Sequence, residues 1–275
     1  MSTEYTVTEI RRPLRVSIVQ GDTRWHDPEG NREYYGDLLG ALHGITDLVV
    51  LPETFTSGFS NEAIERAEDM DGPTVAWMRD WARELDAAVT GSVQLRADDG
   101  VANRLLFVTP DGAVRTYDKR HLFRYAGEHE RYRAGRDRLT VDWRGWRICP
   151  LICYDLRFPV FSRNRYDVER QGGLDYDLLL YVANWPSARA NVWRTLLRAR
   201  AMENLCYVVG VNRVGTDGNG LTYPGESAVI DFMGNAISEC TDMEVVSTTT
   251  LFLEELNAHR ERFPAMLDAD RFDLR

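Results

Sequence analysis

The stretch "YDLLLYVANWPSARANVWRTLLRARAMENLCYVVGVNRVG", residues 176–215, decides the class of fold. Its first ten residues are a nearly unbroken apolar run of strand length, and "CYVVGVNRVG" (206–215) is another. Between them "NVWRTLLRARAMENL" (191–205) is rich in helix formers and carries its apolar residues at helical spacing. Strand, helix and strand in forty residues point to an α/β architecture.

Working outward, the same alternation recurs. "LRVSIVQ" (14–20) and "DLVVLPE" (47–53) read as strands around a helix over 31–44 that ends at Gly44. "PTVAWMRDWARELD" (73–86) has proline in its first turn and places Val75, Met78, Trp81 and Leu85 on one face, which predicts an amphipathic helix. Strands follow at 87–95 and 104–114, the second turning at Pro110-Asp111-Gly112, and "LTVDWRGWRICPLICYD" predicts a hairpin turned at Arg144-Gly145. "ESAVIDFMGNAIS" and "STTTLFLEEL" add strands, and "LEELNAHRERFP" a short charged helix. The strands are numerous enough for two sheets rather than one. The best candidate boundary, 168–177, reads as a loop insertion, so residues 1–275 are expected to form one domain.

At 44 % hydrophobic and 28 % charged residues the composition is that of a globular chain. A formal charge of −10 argues against a nucleic-acid partner, which would need a basic face. It leaves room for a small anionic substrate, because local arginines can outweigh the global field. The opening twenty residues hold no apolar run of signal-peptide length, and no stretch is long enough to span a bilayer. Four cysteines in 275 residues do not form a disulfide framework. The expectation is a soluble cytoplasmic protein with reduced thiols and no membrane partner.

Common cofactor and metal signatures are missing. "GTDGNG" (215–220) lacks the lysine of a P-loop and reads as a turn. No G-x-G-x-x-G opens a helix, no histidine pair has zinc spacing, and no G-x-S-x-G elbow is present. Three strand-end features remain. Glu53 closes the apolar run "LVVLPET"; it is a poorly solvated candidate base or else a turn acid in water. Lys119 in "YDKRHLF" is a candidate oxyanion donor or a solvated loop lysine. Cys153 ends a strand before "YDLRFP" bends away, beside the free N–H groups of the next segment. Cys149 lies deeper in the same run and reads as a small core hydrophobe. Along an extended strand their α-carbons would be roughly 13 Å apart, too far for a disulfide.

Taken together, "LPETFTSGF", "YDKRHLFRYAGEHERYRAG", "CYDLRFP", "YVANWP", "LLRARAMEN", "NRVGTDGNG" and "YPGESAVIDFMG" resemble the nitrilase, or carbon–nitrogen hydrolase, superfamily over nearly the whole chain. The wording of "DKRHLFR", "CYDLRFPVFSRN" and "YVANWP" is most similar to its bacterial omega-amidase branch, whose members hydrolyse the terminal amide of 2-oxo acids. The resemblance implies a four-layer α-β-β-α sandwich, a homodimer, and hydrolysis with water and without metal or organic cofactor. Its catalytic set falls on Glu53 as base, Lys119, and Cys153 as nucleophile, with Glu128 in "GEHERYRAG" bracing the lysine. The backbone N–H of Tyr154 is the expected second oxyanion donor. Arg157 and Arg189 are candidates for binding a substrate carboxylate, or else members of structural ion pairs. Trp185 and Phe123 are candidate pocket walls, or else core packing. Two features depart from the pattern of many relatives: Val192 stands where they have histidine, and residues 165–177 are lengthened. Nitriles and carbamoyl compounds are the rival substrates for the same set, and a non-catalytic scaffold is the rival of a different class.

Overall fold

The computed structural model describes residues 12–170 and 173–273. A first six-stranded sheet is built from β1 (Leu14–Gln20), β2 (Leu48–Val50), β3 (Ala88–Ala97), β4 (Gly100–Val108) and β5 (Val114–Asp118). A second holds β6 (Val141–Trp143), β7 (Trp146–Ile152), β8 (Leu178–Ala183) and β9 (Tyr207–Asn212). After a small hairpin, β10 (Val214–Thr216) and β11 (Thr222–Pro224), the chain adds β12 (Ala228–Ile230) and β13 (Ala236–Glu239) to the second sheet. It then returns β14 (Val245–Leu251) to the edge of the first.

The two sheets have matching plans, β14-β1-β2-β3-β4-β5 and β13-β12-β9-β8-β7-β6. In each, three central strands are parallel (β1, β2, β3 and β7, β8, β9) and the outer ones antiparallel. Parallel strands buried on both faces read as continuous apolar runs. "LLLYVA" in β8 and "YVVGVN" in β9 are buried at every position.

Helices α1 (Pro28–Leu39) and α2 (Pro73–Leu85) cover the outer face of the first sheet. There Tyr35, Leu39, Val75, Met78 and Leu85 pack on Val19, Val49, Val89 and Leu106. The alternate residues of the same strands, Val16, Ile18, Leu48 and Val50, join the core shared with the second sheet. After the single turns α3 (Glu128–Arg131) and α4 (Pro159–Ser162), α5 (Ala190–Asn204) covers the second sheet's outer face. Gly210 lets it approach: a β-carbon there would lie 2.6 Å from Leu197 and 2.8 Å from Trp193. The result is the expected four-layer α-β-β-α sandwich.

Local expectations hold with shifts at element ends: α1 stops at Leu39 and passes into a 3₁₀ turn, Gly40–Leu42, short of the expected end at Gly44, and β4 starts at Gly100 rather than Arg104. Helix α1 starts at Pro28 rather than at Asn31, because Asp27 caps it, accepting from the Gly30 N–H at 3.0 Å with proline in the first turn. Strand β2 is only three residues long, since Pro52 has no N–H for the ladder and the chain leaves the sheet before Glu53. The predicted hairpin turn at Arg144-Gly145 is present, both residues having positive φ (49° and 82°), as a two-residue turn between twisted strands requires. No helix among the described residues is long and apolar enough to cross a membrane.

The C-terminal helix α6 (Leu253–Arg262) is tied to this frame by a buried carboxylate. Asp177, fully buried before β8, accepts from Arg147 on β7 at 2.7 Å and from Arg260 on α6 at 2.6 Å. Burial alone would raise its pKa, but the hydrogen bonds and charges of the two guanidinium groups hold it below the usual carboxylate value. A carboxylate with a depressed folded pKa stabilises above its unfolded pKa and loses that contribution as pH falls through the folded one. Asp177→Asn is therefore expected to cost about 3 kcal/mol at pH 7, by analogy with other broken buried pairs. In urea melts the gap to wild type should narrow only below about pH 4. A gap that does not change with pH would show that the charge of Asp177 does not contribute.

Candidate active site

The parallel strands deliver their C-terminal ends to one edge of the sandwich, where ligands bind in open α/β sheets. Glu53 follows β2, Lys119 follows β5, Cys153 follows β7 and Asn184 follows β8. The first two come from one sheet and the last two from the other. Thr54 and Cys153 are both non-glycine residues with positive φ (43° and 42°), so the chain turns sharply just after Glu53 and at the thiol itself. Such strained residues persist where their surroundings hold them firmly.

Glu53, Lys119 and Glu128 are all fully buried. The Lys119 ammonium donates to Glu53 Oε1 at 2.8 Å and to Glu128 Oε1 at 3.0 Å, and it lies 5.2 Å from the centre of the Phe59 ring. Glu128 is held in turn by the Phe123 N–H on its Oε2. Burial acts to lower the lysine pKa, but the charges of Glu128 and Glu53 outweigh it, and the group is pushed well above its ordinary value. For Glu128 burial dominates, with Glu53 adding to it and Lys119 opposing, and its pKa is raised.

Cys153 is partly exposed and its Sγ lies 3.8 Å from the Asn184 carbonyl oxygen. Burial of the sulfur, then the charge of Glu53, push the thiol well above its usual pKa, with Lys119 working against them. The resting group at neutral pH is thus a thiol. Cys149, by contrast, is fully buried in the core between strands, its thiol pushed up to about 12 by burial. All four cysteines are free.

Two asparagines complete the cluster, and sequence reasoning had not singled them out. Asn103 on β4 donates one amide group to both carboxylates, at 2.8 Å to Glu53 and 3.4 Å to Glu128. Asn184 donates its backbone N–H to Glu53 Oε2 at 2.8 Å and its side chain to the Glu53 carbonyl at 2.7 Å. A polar residue at an inward position of an apolar run is the signal that could have found them. For Asn184 it was visible in "YVANWP".

The cluster opens into a cavity of about 320 Å³, at the small end of the range for ligand sites. Phe123, Tyr154 and Trp185 line it, together with Arg157 and Arg189. Leu221 and Tyr223 of the β10–β11 hairpin also reach it, so the glycine-rich turn "GTDGNG" is a turn whose hairpin forms part of the wall. The Arg157 guanidinium sits 5.3 Å from the Trp185 ring centre, and that of Arg189 lies 5.3 Å from the Phe123 ring centre. Neither is in an ion pair with a carboxylate among the described residues, which removes the structural ion-pair alternative. Trp185 is nearly buried yet reaches the cavity, its indole N–H held by the Arg189 carbonyl. Tyr154 stands in the first turn of the 3₁₀ helix Cys153–Arg157, where a backbone N–H has no intrahelical acceptor.

Neither departure noted in the sequence lines this cavity. Val192 is half-buried against the core beside the fully buried Trp193. The described part of 165–177 is held by Asp175, which pairs with Arg138, Arg165 and Arg170. Among the described residues no cluster of three or more His, Cys, Asp or Glu side chains could hold a metal ion.

Comparison with known proteins agrees with this geometry. The carbon-nitrogen hydrolase family model matches residues 15–261. The omega-amidase YafV of Yersinia enterocolitica is 48 % identical over 95 % of this chain and 98 % of its own. The 2-oxoglutaramate amidase of Bacillus subtilis is 30 % identical over 94 % of this chain and 98 % of its own. Among solved structures, XC1258 of Xanthomonas campestris is described as a CN-hydrolase superfamily protein with an arsenic adduct in its active site. It superposes with a TM-score of 0.94 at 68 % identity, covering 96 % of this chain and 99 % of the other.

The contrast between the two thiols of β7 can be read chemically. In the native protein iodoacetamide is expected to alkylate Cys153 well before Cys149 or Cys206, as followed by peptide mass spectrometry. Equal labelling of Cys149 without denaturant would show that the cavity does not single out Cys153.

Proposed function

The chain belongs to the carbon–nitrogen hydrolase family, and from that premise we propose that it is an omega-amidase that cleaves the terminal amide of small 2-oxo acid amides such as 2-oxoglutaramate and 2-oxosuccinamate. It is a hydrolase of carbon–nitrogen bonds. One observation carries the finer reading: the buried Glu53–Lys119–Glu128 cluster meets Cys153 in a small cavity that also holds two arginines without carboxylate partners among the described residues.

In the proposed reaction Glu53 takes the thiol proton as Sγ attacks the amide carbon. The oxyanion that forms is stabilised by the Lys119 ammonium and by the Tyr154 N–H. Glu53 returns the proton to the amide nitrogen, the carbon–nitrogen bond breaks and ammonia leaves a thioester on Cys153. Glu53 then takes a proton from water, the hydroxide adds to the thioester carbonyl, and collapse releases the carboxylic acid and restores the thiol. Glu128 and Asn103 keep the ammonium aimed without touching the reacting atoms. A substrate carboxylate would pair with Arg157 or Arg189 through charge-assisted hydrogen bonds.

We read residues 1–275 as one such domain, acting as a homodimer. Exposed Val160, Met202 and Phe263 gather around one surface cleft with Asp268, Asp270 and Asp273. An adjoining cleft is lined by Arg120, Arg136 and Arg163. Under a two-fold axis the acidic side of one copy can meet the basic side of the other. Light scattering at micromolar concentration should give a dimer, and Val160→Asp should shift it toward monomer; a wild-type monomer would refute this arrangement.

The substrate reading has its own test. Ammonia release from 2-oxoglutaramate should far exceed that from simple nitriles and from the amide lacking the carboxylate. Lys119→Ala should lose about 100-fold or more in kcat through the missing oxyanion partner. Replacing the responsible arginine by alanine should raise KM more than it lowers kcat, as loss of uniform binding does. Equal kcat/KM for the 2-oxo acid amide and its carboxylate-free analogue would defeat the substrate assignment.

A further inference from the structure

Asp155, two residues beyond Cys153, is fully buried and has no lysine or arginine partner among the described residues. Its four hydrogen bonds go to two different parts of the molecule. Oδ2 accepts from the Ile152 N–H at 3.0 Å, immediately before the thiol, and from the Tyr117 hydroxyl at 2.7 Å, two residues before Lys119. Oδ1 accepts from the His121 N–H at 3.1 Å and from the His121 ring Nδ1 at 2.7 Å, two residues after Lys119. Tyr117 closes the loop by accepting from the Arg120 N–H at 3.2 Å. The His121 ring is fixed from the other side by stacking on Phe158, at 3.8 Å and 7°.

Asp155 therefore holds the residues on both sides of Lys119 and the residue before Cys153 with one rigid carboxylate. Lys119 and Cys153 come from different sheets, so nothing in the local chain sets their separation. We infer that Asp155, with Tyr117 and His121, is a positioning device that sets Lys119 relative to Cys153 and so controls the chemical step without touching substrate. Asp155 does not line the cavity, which separates it from the groups that do. All four acceptor sites of the carboxylate are used, and a carboxamide could not replace it without turning a donor against a donor.

The inference rests on the proposed roles of Lys119 and Cys153, and the test keeps the two apart. Asp155→Asn should lower kcat on 2-oxoglutaramate by ~100-fold, since a misplacement of about 1 Å has that consequence, with KM nearly unchanged. His121→Ala should lower kcat ~10-fold on the same ground. His121→Asn, whose amide N–H reaches the place of Nδ1–H, should recover most of the loss. Alkylation of Cys153 by iodoacetamide, followed by mass spectrometry, should slow and recover in parallel. If Asp155→Asn does not fold, the two His121 variants decide. Variants that melt earlier but keep wild-type kcat and alkylation rate overturn the inference, as does equal loss in His121→Ala and His121→Asn. If the wild type turns over no omega-amide, the functional reading fails. The alkylation rates still decide, and equal rates in wild type and His121→Ala refute the device.

Discussion

One ammonium between two carboxylates, with all three groups out of water, is the constraint on which the site depends. An isolated buried lysine would shed its proton, and an isolated buried glutamate would take one up. Lys119 remains charged because Glu53 and Glu128 both accept from it. The arrangement is intolerant of losing its cation, since removing Lys119 would leave two buried acidic groups with nothing to balance them. That intolerance makes the surrounding hydrogen bonds of Asn103, Asn184 and the Phe123 N–H necessary rather than incidental.

The two sheets share the site between them. The first sheet brings Glu53 and Lys119 to its edge, the second Cys153 and Asn184. At the site, bonds that cross from one to the other include those of Asn184 to both ends of Glu53 and those of Asp155 to Tyr117 and His121. The apolar faces of the sheets can be packed together by hydrophobic residues of many kinds, which fixes the layers but not the last ångström. The polar crossings supply that last increment of position. They lie at the strand ends, just where the chain leaves its regular ladders.

This division explains how much the sequence revealed. The alternation of apolar strands with helical segments and the turn at Arg144-Gly145 are local properties, and each was legible residue by residue. Helix α1 was misplaced by three residues because the cap at Asp27 was passed over for the periodic pattern that follows it. The chemical segments around Glu53, Lys119, Glu128 and Cys153 were legible as a set only through family resemblance, since each alone fitted an ordinary solvated or packed role. The bonds of Asn103 and those of Asp155 to Tyr117 and His121 were not legible, because their partners lie 25 to 50 and 34 to 38 positions away along the chain. That Arg157 and Arg189 have no carboxylate partner among the described residues was hidden for the same reason: an ion pair or its absence is settled by packing across the molecule.

The same electrostatics bear on how the reaction must be ordered. A free thiolate on Cys153 would place a negative charge beside Glu53, in a buried cluster holding a single ammonium. Burial and Glu53 accordingly hold the proton on sulfur. In the proposed reaction the proton therefore moves to Glu53 as the carbon–sulfur bond forms, so that the negative charge passes to the substrate oxygen rather than resting on sulfur. The proposed substrate is itself an anion, and it would enter a protein whose formal charge is already −10. Arg157 and Arg189 at the cavity wall place two cations where the proposed substrate's carboxylate would need them, and local charge of that kind can outweigh the global field.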